Sequence, residues 1–113
     1  MNADAFRRLA LSLPQTSEAP HFDRRAFRTP RKIFATLAAD GATANLMLTP
    51  EQQHLLVKAS DAFEAVPNKW GAGGATTCTL SRVTVEGLRP VLAEAHAAAL
   101  PAPKRPRFSR RRV

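Results

Sequence analysis

Apolar residues recur at helical spacing near both ends of the chain and at the two-residue spacing of strands between them. Phe6, Leu9, Ala10 and Leu13 stand at i, i+3, i+4 and i+7 and predict a helix over about 3 to 12. Asn2 suits its cap and Asp4 the positive end of its dipole, while Pro14 ends it. Residues 14 to 21, PQTSEAPH, have loop chemistry. Three strands follow near 22 to 28, 32 to 38 and 42 to 48, joined by Thr29-Pro30-Arg31 and Ala39-Asp40-Gly41. Asp-Gly is the firmest hairpin signal, because glycine accepts the positive φ of a tight turn. In the third strand Ala44, Leu46 and Leu48 alternate with Thr43, Asn45 and Met47, as on a sheet with one covered face. The second strand alternates less cleanly and reads as central.

Thr49-Pro50-Glu51-Gln52 opens a helix with a threonine cap, a proline at the first helical position and a glutamine three residues after the cap. Leu55, Leu56 and Ala59 are its expected buried face, and it fades near Ser60-Asp61. Short strands are predicted at about 63 to 66 and 76 to 80, separated by a stretch at 67 to 74 too glycine-rich for a regular element. Leu88, Val91, Leu92, Ala95 and Ala99 mark a last helix. Pro90 favours a start near Gly87, after a separate turn at 84 to 87, because proline deeper in a helix removes a backbone bond. The order α-β-β-β-α-β-β-α predicts a two-layer α+β fold, an antiparallel sheet of about five strands covered on one face by three helices.

The length of 113 residues fits one domain with one modest core. The net charge of +8 changes meaning once it is located. Residues 101 to 113 hold Lys104, Arg105, Arg107, Arg110, Arg111 and Arg112 with no acid; the remaining body has eleven bases against nine acids, a net of only +2. The expected organisation is a domain at 1 to 100 and a disordered basic tail at 101 to 113, too poor in apolar residues to offset its ordering entropy. No apolar run is long enough for a membrane span, and the first residues carry acids and arginines where a secretory signal is apolar, so a cytoplasmic protein is expected. The single cysteine, Cys78, has no partner for an internal disulfide or a zinc knuckle.

The segments LPQTSEAPHF (13 to 22), KIFATL (32 to 37), ANLML (44 to 48) and VPNKWG (66 to 71) together resemble the MmcQ/YjbR family over roughly residues 5 to 97. The resemblance implies a fold related to secretion-chaperone-like and double-wing DNA-binding architectures. It assigns no catalytic residue. Met47 stands where a lysine is common in the family's Asn-Leu-Lys-Leu version, and Ala75 where a tryptophan often precedes the threonine.

Two parts of the body, and the tail, offer binding chemistry. Arg24, Arg25, Arg28, Arg31 and Lys32 surround one hairpin with only Asp23 among them. On a strand Arg24 and Arg28 share a face and Arg25 points away, so a pair of guanidiniums can meet adjacent phosphates. Charges that protect an edge strand from pairing have the same pattern. Asn68, Lys69 and Trp70 precede flexible glycines; the indole offers a stacking face and the lysine a backbone charge, although Trp70 can equally plug the sheet end and Asn68 bond the loop. The tail attracts any polyanion. His21, His54 and His96 are far apart in sequence, no metal-ligand spacing or nucleophile elbow occurs, no phosphate-loop or dinucleotide motif is present, and Cys78 reads as a packed residue. The expectation is a noncatalytic binding protein without a cofactor, a monomer or weak dimer. Its expected ligand is DNA or RNA, held nonspecifically by phosphate contacts; the alternative is a protein-interaction or chaperone-like module.

Overall fold

The computed structural model describes residues 1–101, so the predicted tail, with Lys104, Arg105, Arg107, Arg110, Arg111 and Arg112, lies outside the described residues. The elements are α1 (Ala3–Leu11), β1 (Ser17–His21), β2 (Arg24–Arg28), β3 (Ile33–Leu37), β4 (Thr43–Met47), α2 (Pro50–Ala59), β5 (Phe63–Ala65), α3 (Lys69–Ala72), β6 (Ala75–Thr79) and α4 (Val85–Ala99), with a 3-10 turn at Leu80–Arg82. They form an α+β fold around one antiparallel sheet in the order β1-β2-β3-β4-β6-β5. The described residues hold six strands and four helices where the sequence predicts five and three.

The extra strand is β1, drawn from the segment read as a loop. Its short polar residues alternate without an apolar face, so period alone does not reveal it. The extra helix is the single turn α3. The Asn68 side chain caps it by accepting a hydrogen bond from the Trp70 amide at 2.9 Å.

The core lies between one sheet face and α1 and α4. Phe6 on α1 meets Phe27 on β2 edge to face at 5.6 Å, a pair worth about 1 kcal/mol beyond the area it buries. Ala44, Leu46 and Leu48 are buried as their alternation predicts. β3 is central. Its pairing with β2 shifts register so that Phe34 has no partner, and Phe34 joins Ala35 and Leu37 in the core, which is why its pattern alternates poorly. There Phe34 packs edge to face on the buried His96 of α4, whose Nε2 lies 2.7 Å from the Pro14 carbonyl oxygen.

Two helix expectations need correction. α4 starts at Val85, with Thr84 Oγ1 accepting from the Gly87 amide at 3.0 Å, and Pro90 lies inside it. Pro90 is exposed, so water can satisfy the carbonyl left without its helical partner. α2 has the predicted capping box, Thr49 with Gln52, yet buries no residue fully: Leu55 is 68% exposed, Ala59 is exposed and Leu56 is half-buried. α2 lies at the β5–β6 margin and is fastened by a polar residue, Gln53, whose Nε2 donates to the carbonyls of Gly71 and Ala75 at 2.9 Å each.

Candidate nucleic-acid interface

The sheet's second face lies opposite the core packed by α1 and α4. Register places Arg24 and Ala26 of β2, Thr36 of β3, Asn45 and Met47 of β4, and Thr77 and Ala75 of β6 on this side. Thr77 Oγ1 donates to Asn45 Oδ1 at 2.9 Å, and Arg24 Nε donates to Thr36 Oγ1 at 2.8 Å, which lays the arginine along the face.

A groove of about 990 Å³ crosses this face. One wall is the β1–β2 hairpin with His21, Phe22, Asp23, Arg24 and Arg28; at another margin the β2–β3 turn contributes Arg31 and Lys32; the far wall is α3 with Asn68, Lys69 and Trp70. Seven of the body residues singled out from sequence, Arg24, Arg28, Arg31, Lys32, Asn68, Lys69 and Trp70, therefore share one concavity although they come from segments some forty residues apart.

Arg25 does not join them. It turns to the helix face, where its Nε donates to Glu18 at 2.9 Å beside Arg7. Burial alone raises the Glu18 pKa, but the hydrogen bonds and charges of Arg25 and Arg7 outweigh it and hold the carboxyl below its ordinary value. The edge-protection reading also fails for β2, since β1 pairs along it and takes the edge position. Pro20 and Glu18 blunt that new edge.

Charge is unevenly distributed. Five bases and one acid line the groove, a local net of +4 where the whole body carries +2. Among the described residues the ion pairs involve Arg7, Arg25 and Arg82, none of which lines the groove. A smaller concavity on the other side of the hairpin is balanced, with Asp4, Asp23 and Asp40 beside Arg7, Arg24 and Arg25. Local turn chemistry fixes the groove's cations. The buried Thr29 hydroxyl donates to the Ala99 carbonyl at 2.6 Å, pinning the β2–β3 turn to the end of α4. Arg31 donates to the Ala98, Ala99 and Leu100 carbonyls, so it caps the helix while standing at the groove rim. Arg28 Nε donates to the Thr29 carbonyl at 3.1 Å.

The far wall is shaped by glycine. A Cβ on Gly71 would lie 1.7 Å from the Val66 carbonyl oxygen, and one on Gly74, at φ +115°, would lie 2.0 Å from that of Leu48. This close packing turns Trp70 outward: the indole is 69% exposed rather than plugging the sheet end, whereas Asn68 does bond the loop. The sequence reading missed Phe22, which is 94% exposed at the hairpin tip with φ +58° and packs edge to face on His21. Its signal was an aromatic directly before Asp23-Arg24-Arg25, hidden by starting a strand at 22. Met47 and Ala75, the two departures noted from the resemblance, are cross-strand partners in the groove.

The remaining reactive groups do not converge. His21 lies at the groove, His54 is exposed on α2 and His96 is buried in the core. Cys78 is buried, which pushes its thiol up to about 11. No cluster of three metal-ligating side chains occurs among the described residues, and none of their helices is long and apolar enough to cross a membrane.

A six-stranded α+β sheet with helices on one face and a basic groove on the other is the class this geometry defines. The YjbR family matches residues 11–98, and the chain belongs to that family. The crystal structure of Deinococcus radiodurans protein DR2400, with a DUF419 domain, has the same fold: TM-score 0.68, 22% identity, covering 81% of this chain and 73% of that one. No curated protein matches the chain.

Proposed function

We propose that the protein is a noncatalytic nucleic-acid-binding domain of the cytoplasm, a monomer or weak dimer that holds its ligand through phosphate contacts in the groove. The observation that carries this reading is the concentration of five cations, without an ion pair among the described residues, around one open concavity. Guanidiniums without carboxylate partners retain their full charge for phosphate oxygens. The bases at 104 to 112 lie outside the described residues and add to the chain's overall attraction for a polyanion. A protein-binding module that adds a strand has less support: β1 carries Pro20, and β5 is three residues long.

Fluorescence anisotropy with labelled oligonucleotides tests the proposal, comparing the full chain, the chain cut after Leu100 and the variant Arg24→Ala/Arg28→Ala. Binding that weakens steeply with salt, survives truncation in part and falls several-fold in the double variant is the expected result. Absence of binding by the full chain at low salt overturns it; binding lost wholly with the tail removes the groove from it.

A further inference from the structure

Exposed aromatic residues at both ends of a cationic groove are a different kind of feature from the cations themselves. Phe22 and Trp70 are the two most exposed large apolar side chains lining it, at 94% and 69%. Neither supports the core. Phe22 also occupies a left-handed backbone conformation that glycine or asparagine adopts far more readily, so the hairpin holds a bulky ring at its tip at a conformational cost.

Their placement is diagonal. Phe22 stands beside the start of β2, and Trp70 precedes β6, whose first residue pairs with the last residue of β4. Four residues of strand rise and three strand spacings put roughly 20 Å between these corners. Arg24 stands at the first corner and Lys69 at the second, the Asn45–Thr77 pair lies between them, and Arg28 lines the flank at the far end of β2. A ligand that satisfies this surface presents negative charge at intervals along an extended chain and flat apolar faces at separated points.

We infer that the groove is specific for single-stranded nucleic acid over duplex, with unpaired bases stacking on Phe22 and Trp70 while the phosphates run along the cations. This rests on the nucleic-acid reading above and deepens it. A duplex keeps its base faces inside its own stack and can offer a groove of this kind only phosphates, whereas an extended single strand exposes a π-face at each base. An acidic peptide supplies the charge without those faces.

The chain contains one tryptophan and no tyrosine, so its intrinsic emission reports on Trp70 alone. The test uses the full chain at about 0.15 M salt, where phosphate contacts are partly screened, with an oligothymidine strand, a mixed-sequence duplex of equal length and polyglutamate as probes. The expected result is quenching of Trp70 emission by the single strand and weaker binding of the duplex. Trp70→Ala and Phe22→Ala, read by anisotropy, each lower single-strand affinity about fivefold or more without changing the salt slope. Arg24→Ala/Arg28→Ala instead reduces that slope by about 1.4. Thermal melting checks that each variant folds. Equal single-strand and duplex affinities with unchanged emission and neutral aromatic variants overturn the inference and leave phosphate-held nucleic-acid binding standing. Polyglutamate competing as well as the strand overturns both, as does the absence of any oligonucleotide binding.

Discussion

Phe22 holds an exposed ring in a left-handed backbone conformation, and under the proposed binding role it sets stability against ligand capture. A non-glycine residue in the left-handed region costs about 1 to 2 kcal/mol, and glycine loses about 0.5 to 1 kcal/mol of that advantage to chain entropy. Phe22→Gly is therefore expected to raise unfolding free energy by roughly 0.5 kcal/mol in urea titrations while weakening oligonucleotide binding; a clear loss of stability would show that the ring supports the fold. Glu18 has the opposite character, a nearly enclosed carboxylate between Arg7 and Arg25. Because its pKa is lower folded than unfolded, its stabilisation is present above the ordinary carboxylate range and is lost as pH falls through the folded value. Glu18→Gln is expected to lower the melting temperature at pH 7 by a few degrees and to flatten the fall of stability on acidification. Parallel acid limbs in the two proteins would contradict this.

Among the elements, α4 tolerates an interior proline because Pro90 faces water. Pro90→Ala restores the missing helical hydrogen bond and is expected to stabilise the domain by about 1 to 3 kcal/mol, measured by denaturant unfolding. An unchanged or lower stability would mean that the proline ring makes a contact of its own. The same proline misled the sequence reading about where the helix starts, since local propensity carries no information about which side of the helix meets solvent. Elements with a strong local signature were legible: the Asn2 and Thr49 caps, the Asp40-Gly41 turn, and the alternation through Ala44, Leu46 and Leu48. β1 was not, because Ser17-Glu18-Ala19-Pro20-His21 becomes a strand only through its partner β2. The groove was half legible. Its cations and Trp70 were visible as residue types, and period two separated Arg24 from Arg25. That Trp70 and the β2–β3 turn reach the same concavity depends on the β4–β6 pairing, which no local pattern reveals.

On the scale of the whole molecule, an almost balanced body places around the groove five of its eight described cations without an ion pair, the other three being Arg8, Lys58 and Arg89 on the helices. Such a distribution orients an approaching polyanion before contact, and salt in excess of the Debye limit for these distances removes that guidance. Thr29 and Arg31 give this layout a mechanical side, because both donate to carbonyls at the end of α4 and so tie the base-bearing turn to it. Thr29→Val keeps the shape but removes the hydroxyl's bond together with the acceptor of the Arg31 and Lys32 amides. The informative amide is therefore that of Leu100, whose hydrogen exchange is expected to quicken as well; an unchanged rate at Leu100 would mean that the end of α4 is held without the hydroxyl. Anything that restrains that turn therefore also restrains the closing turn of α4.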